Sequence, residues 1–261
     1  MSNLFTIKKK IASIKKINKI TESMKIVAIS KINKLKRQYL ANSEYQKQLY
    51  DVVGALPYSY SVAKDKKKHM WVIFTSTLGM AGSYNINIFK KLKESINPGD
   101  TIVVFGLKGE KLLNRFKTEY HIKYFDIYEK EIMLFSFHYA ATYICKLFSH
   151  NMFNGLTYIY TTHTNNLSVV SSTILPFPMK SKTTNSFLLE PGVRSIIDNT
   201  FKLYIESTLY SAYLEAKLCE QISRKTSMSH ANDNINDMLS ELGITYNKKR
   251  QEKITQEVAR A

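Results

Sequence analysis

A chain of 261 residues with 44% hydrophobic side chains and a formal charge of +17 is neither an intrinsically disordered polymer nor a charge-neutral globule. The length admits one large domain or one domain with an appended element. Two cysteines, Cys145 and Cys219, make neither a CxxC pair nor a metal spacing and point to free thiols in a reducing compartment.

From Thr6 to Asp51 there is no Pro and no Gly. Ile17, Ile20, Met24 and Val27 step by three, four and three, and Ala28, Ile32, Leu35 and Tyr39 continue the stripe after a one-residue offset. A seam that narrow predicts a coiled-coil helix rather than a core helix. At 1.5 Å per residue about 45 residues extend about 70 Å, more than a compact domain can cover, so the seam needs a long partner. Lys8, Lys9, Lys10, Lys15, Lys16, Lys19, Lys25, Lys31, Lys34, Lys36 and Arg37 are opposed only by Glu22 before Glu44. That composition admits nucleic acid as a partner. It also fits a basic rod inside an acidic protein collar. Lysines spread along the whole chain, with Asn, Ile and Tyr, match residues favoured by AT-rich codons, so charge alone decides nothing.

The middle alternates. "MWVIFTS" (70–76), "TIVVFG" (101–106), "IKYFDI" (122–127) and "LTYIYTTHT" (156–164) read as strands, and 83–95, 108–117 and 132–150 as helices. Segment 165–190 is expected to add one strand and a polar loop. This order predicts an α/β unit with a mostly parallel sheet covered on both faces. "INPGD" (96–100) and "EPGVR" (190–194) supply turns. From Gly192 onward helix returns, with Met228, Ala231, Ile235, Met238 and Leu242 as a second seam that resumes after Gly243 at Tyr246, Arg250, Ile254 and Val258. Two long seams at opposite ends of one chain are each other's obvious partners. The expected organisation is an N-terminal shaft helix (1–60), a Rossmann-like foot (68–190) and a C-terminal shaft helix (192–261), the shaft being an antiparallel coiled coil.

Motifs for chemistry are missing where they would be needed. "TSTLGMAGSYN" (75–85) sits between a strand and a helix, the place of a phosphate loop, but it matches neither GxxxxGK[ST] nor GxGxxG. His163 in "TTHTNN" is a lone histidine, and Asp233, Asp237 and Glu241 read as a solvated face. No run approaches the roughly 18 apolar residues of a membrane span, and "MSNLFTIKKK" lacks the apolar core of a signal peptide.

Read together, the two ends carry a resemblance. "IASIKKINKITESMKIVAISKI" resembles the N-terminal helix of the gamma subunits of rotary ATP synthases, of the form IxSxxxxxKITxAMxMVAxxK. "YNKKRQEKITQEVARA" is similar to that family's C-terminal YNKxRQxxITQE, "HANDNINDMLSEL" to its ATDNAxxxIxxL, and "TSTLGMAGSYNINIFK" to its SDRGLCGGLNxNxFK. The likeness spans essentially the whole chain in order. It implies a non-catalytic rotor of a proton-translocating enzyme, without a cofactor, on the cytoplasmic face of the bacterial inner membrane. The shaft would stand inside a hexamer of alpha and beta subunits, with the foot on the ring of c subunits and epsilon beside it, passing torque between ring and hexamer.

Carried over by position, Met24 and Lys25 match the motif that meets the acidic lever loop of beta. Arg250, Gln251, Thr255 and Gln256 match the segment at beta's catch loop, and Phe187 and Glu190 align beside the polar loop of the c subunits. Thr77 and Leu78 depart from the family's Asp and Arg, Ala81 from its cysteine and Ser83 from a glycine, which puts the foot's local contacts in question. The short reach beyond Glu257 is expected to weaken guidance of the shaft top. No insert with paired cysteines suggests thiol regulation.

Overall fold

A computed structural model describes residues 4–55, 68–114, 120–125, 134–163, 166–175 and 192–259. Helix α1 runs Leu4–Ala55 without a break, as a stretch free of Pro and Gly from Thr6 to Asp51 allows. Helix α5, Val193–Val258, has 66 residues and is about 100 Å long at 1.5 Å per residue. Between them come β1 (His69–Phe74), α2 (Tyr84–Lys93), β2 (Thr101–Phe105), α3 (Leu107–Leu113), β3 (His121–Phe125), α4 (Leu134–Ser149), β4 (Gly155–His163) and β5 (Leu167–Leu175). These agree with the expected alternation. Parts of the expected elements at 115–117, 126–127, 132–133 and 164 lie outside the described residues. So do the expected polar loop at 176–190 and the start of the turn at 190–191.

The strands form one sheet in the order β3-β2-β1-β4-β5, with β5 alone antiparallel, on β4. Both faces are covered. Met70, Val72, Phe74, Val103, Phe105 and Leu156 face α4 and the lower part of α5, which contribute Phe137, Ile144, Phe201, Ile205, Leu209 and Tyr213. Trp71, Ile73, Ile102, Val104 and Ile159 face α2 and α3 through Tyr84, Ile88, Leu92 and Leu113. An aromatic chain fastens α5 to the sheet: Phe105 stacks on Phe74 at 5.2 Å and on Phe137 at 5.4 Å, and Phe137 meets Tyr213 at 5.1 Å between centroids. The beginning of α5 is therefore foot core as well as shaft. In the expected "INPGD" turn, Gly99 holds φ 86°, which favours glycine. Asp100 there accepts from the backbone N–H groups of His69 and Asn97 and from Trp71 Nε1, at 2.9, 2.9 and 3.0 Å.

Above the foot, α1 and α5 pair antiparallel. Thr21 Oγ1 donates to Asn232 Oδ1, Asn18 Nδ2 to Asn236 Oδ1 at 3.3 Å, and Asn42 Nδ2 to Ser211 Oγ. Continuing that register sets Leu4 level with Lys249, so the end of α5 overhangs α1. Every residue from Gln251 to Ala259 is exposed accordingly, Ile254 and Val258 of the expected seam included.

The seam itself corrects the expected phase over the upper half of α1. Buried or half-buried positions recur at Leu4, Ile7, Ile11, Ile14, Asn18, Thr21, Lys25, Ala28, Ile32, Leu35 and Tyr39, a strict three-four alternation. Ala28, Ile32, Leu35 and Tyr39 belong to it as expected. Ile17, Ile20 and Val27 do not: they are 50%, 59% and 54% exposed. The physical reason is that α1 carries two apolar stripes one residue apart. Small and polar residues, closing by hydrogen bonds onto α5, take the inner one.

On α5 the correction is smaller. Met228, Ala231, Ile235, Leu242 and Tyr246 are buried or half-buried as expected. Asn232, which accepts from Thr21, joins the seam beside Ala231. Leu239, half-buried, takes the place expected for its neighbour Met238, which is exposed. Two adjacent large hydrophobes compete there, and the four-three step from Ile235 to Leu242 turns Leu239 inward.

Candidate functional site

The strand-to-helix turn after β1 is filled from within the chain. Thr75 donates its backbone N–H to Phe105 O at 2.7 Å, and Ser76 N–H is held by Asn85 Oδ1 at 2.9 Å. Met80 and Gly82 take φ 62° and 55°, which reverses the chain; a Cβ on Gly82 would come within 2.8 Å of Ser227 Oγ on α5. Ser223 Oγ donates to Ala81 O at 2.7 Å, and the Arg224 guanidinium reaches Gly79 O and Leu78 O at 3.4 Å each. Tyr84 directs its hydroxyl at Phe74 O and Ala216 O, 3.1 Å from each. A phosphate loop offers backbone N–H groups to an anion. Here the carbonyl oxygens of Leu78 and Gly79 face the Arg224 guanidinium, that of Ala81 accepts from Ser223, and a helix occupies the space, so the turn is a structural one.

Beside the turn, the outward stripe of α1 and the turn's own apolar residues form an open groove of about 590 Å³. Ile20, Met24 and Val27 line one wall, Leu78 and Met80 the other, with Lys19 and Lys31 along the α1 side. Leu78 and Met80 are 49% and 61% exposed, so the chain leaves this patch uncovered. Exposed apolar surface rimmed by charge is the signature of a protein contact.

The site residues expected from the sequence fall at separate stations. Met24 is in the groove, half-buried; Lys25, its neighbour, is half-buried on the seam line toward α5. Arg250, Gln251, Thr255 and Gln256 are exposed at the end of α5, where Thr255 Oγ1 donates to Gln251 O at 3.0 Å. By register Lys25 lies level with Met228, which puts the two stations about 33–42 Å apart along the shaft. Phe187 and Glu190 lie outside the described residues. The structure adds Leu78 and Met80 to the groove, two large apolar residues in a glycine-containing turn whose exposure no periodicity reveals.

Among the described residues the buried titratable groups are not poised for chemistry. Burial pushes the Cys219 thiol up to about 12 and Cys145 to about 11, which leaves both poor nucleophiles. Burial also raises the Glu215 carboxyl, against hydrogen bonds from Thr162 and Tyr39, and lowers the His69 imidazole, against the pull of Asp100. His163 ends β4, exposed, and Asp233, Asp237 and Glu241 are exposed along α5. Among the described residues no three His, Cys, Asp or Glu side chains gather as metal ligands, and no helix is long and apolar enough to cross a membrane.

A two-helix shaft rooted in a Rossmann-like foot, with its uncovered apolar surface along the shaft and no reactive centre among the described residues, defines a stalk protein. The ATP synthase family model matches residues 3–259. The ATP synthase gamma chain of Malacoplasma penetrans is 30% identical over 99% of this chain and 96% of its own length, and that of Mycoplasmopsis pulmonis is 31% identical over 99% and 97%. The chain belongs to the ATP synthase gamma-chain family, the non-catalytic rotor chains of the central stalk. Among solved structures, a chain of the Euglena gracilis mitochondrial ATP synthase (OSCP/F1/c-ring, rotational state 3) superposes with a TM-score of 0.76 at 20% identity, covering 98% of this chain and 91% of that one. A chain of the same enzyme's rotor in rotational state 1 gives 0.71 at 20% identity, covering 96% and 98%. At that identity the likeness establishes a shared fold. The nucleic-acid reading of the basic helix draws no support from these matches.

Proposed function

We propose that this chain transmits torque between a ring of c subunits in the membrane and a hexamer of alpha and beta subunits, with an epsilon subunit beside the foot, at the cytoplasmic face of a bacterial inner membrane. In this reading residues 1–60 and 192–261 act as the shaft and 68–190 as the foot. The observation that carries it is the second apolar stripe of α1: Ile17, Ile20 and Val27 stay exposed although α5 lies alongside. A helix that leaves large aliphatic residues in water, flanked by lysines, suits a collar whose inner surface is apolar and acidic.

Met24 in the groove and Lys25 beside it meet the acidic lever loop of beta, and Arg250, Gln251, Thr255 and Gln256 meet its catch loop at the overhang. A guanidinium at Arg250 suits bidentate pairing with a carboxylate. Phe187 and Glu190 face the polar loop of the c subunits. The shaft acts by contacting beta conformations unequally, since a ligand shifts a balance only through differential affinity. Coexpression with its own alpha and beta chains tests the reading: the chain purifies with them at fixed stoichiometry, and Lys25→Glu lowers ATP hydrolysis or its coupling to proton movement. A chain that purifies alone, or a Lys25→Glu complex indistinguishable from the parent, contradicts it.

A further inference from the structure

An ionic cluster lies where α5 leaves the foot, behind the floor of the groove, which its Arg224 helps to line. Lys217, Glu220 and Arg224 follow one face of the helix. Glu220 is fully buried, and Arg224 and Lys217 are 5% and 8% exposed. The Glu220 carboxylate accepts from Lys217 Nζ at 2.9 Å and from Arg224 Nη2 at 2.6 Å. One carboxylate cannot cancel two cations, so a net positive charge stays buried. The turn after β1 meets it: Leu78 O and Gly79 O face the guanidinium at 3.4 Å, and Thr77 Oγ1 faces the ammonium at 3.4 Å. Ser223, between the charged residues, fixes Ala81 O at 2.7 Å. Residues 77, 78, 79 and 81 of the foot are thereby gripped by side chains of the shaft. The hydroxyl of Thr77 does this where the resembled family pattern has a charged Asp side chain.

Buried ion networks are weak evidence for stability, because apolar replacements often hold a fold as well. What they add is geometry. Below the cluster, Phe201, Ile205, Leu209 and Tyr213 pack one face of α5 on the sheet, which sets coarsely how the helix is turned about its own axis. Hydrogen bonds to carbonyls weaken steeply when bent. The turn also stands off the axis of α5, at the end of β1, so bonds to it act with a lever arm.

We propose that Glu220 and Ser223, acting with Lys217 and Arg224, are positioning residues that lock the azimuth of the shaft to the foot, so that torque applied at one end arrives at the other without slip. The proposal rests on the rotor reading. Its test uses the complete enzyme in proton-tight vesicles, with Glu220→Gln and Ser223→Ala, and with a bead attached to the foot through Ile86→Cys. ATP hydrolysis stays within about twofold of the parent, since the shaft still turns inside its collar, whereas proton uptake per ATP and bead rotation under load fall roughly threefold or more. A fold defect alone lowers the amount of assembled enzyme and leaves that ratio unchanged. If Glu220→Gln does not assemble, Ser223→Ala decides by the same ratio. Variants that assemble and pump as many protons per ATP as the parent overturn the lock. A parent enzyme whose foot-bound bead does not turn during hydrolysis overturns the rotor reading and the lock together.

Discussion

The foot and the shaft solve opposite problems with the same chain. In the foot, both faces of a mostly parallel sheet are sealed by helices, and Phe74, Phe105, Phe137, Ile144 and Leu156 are inaccessible to water. In the upper shaft two helices meet along one line, where Asn18, Thr21 and Asn232 alternate with aliphatic residues and larger hydrophobes lie outside. The foot holds itself together. The shaft has its stabilising surface partly turned outward, which suits an element that finishes its burial against other subunits.

This contrast predicts a graded response to substitution in the isolated chain. Phe137→Ala empties the centre of the foot's aromatic chain and should cost about 3–5 kcal/mol by chemical denaturation. A loss under about 1 kcal/mol would mean the foot is not the stable unit. Leu35→Ala, on the seam, should cost about 2 kcal/mol, read best by hydrogen exchange along α1 because the shaft opens separately from the foot. Uniform loss of protection in both regions would erase the distinction.

Gly243 sits inside α5 with nothing within 4 Å of where a Cβ would be. Gly243→Ala should therefore stabilise the upper shaft by about 0.5–1 kcal/mol, with protection rising around residue 243 and unchanged in the foot. The smallest effect concerns Glu215, which links the regions by accepting from Thr162 and Tyr39. Burial raises its pKa in the folded state, so the protonated form is favoured there. The associated stability is complete below the carboxylate's ordinary range and is lost as pH rises through the raised value. Glu215→Gln keeps the acceptor without the charge. Thermal melts should show it slightly more stable than the parent at neutral pH and equal near about pH 3, below the ordinary carboxylate range. A gain that grows on acidification would reverse the assignment.

The same contrast explains what was legible in the residues. Short β-branched and aromatic runs such as "TIVVF" and the helices between them announced the covered sheet, and the Pro-Gly pair of "INPGD" announced its turn. Absence of Pro and Gly announced the first rod, and a resumed periodicity past Gly243 the second. The phase of the α1 seam was hidden because Ile17, Ile20 and Val27 outweigh Asn18, Thr21 and Lys25 on any apolar scale, although the polar set faces α5. A rule that sends the largest aliphatic residues inward fails for a helix that also serves a partner. The grip of Lys217, Ser223 and Arg224 on residues 77, 78, 79 and 81 was hidden for another reason: it joins segments far apart in the chain, mostly through backbone carbonyls, which carry no residue identity.

Single-molecule observation of the assembled enzyme, held by its hexamer with a bead on the foot, addresses the central claim most directly. With ATP the bead should turn continuously in one direction, carried by a shaft that moves as one body with the foot. A bead that stays still while the same molecules hydrolyse ATP would contradict it.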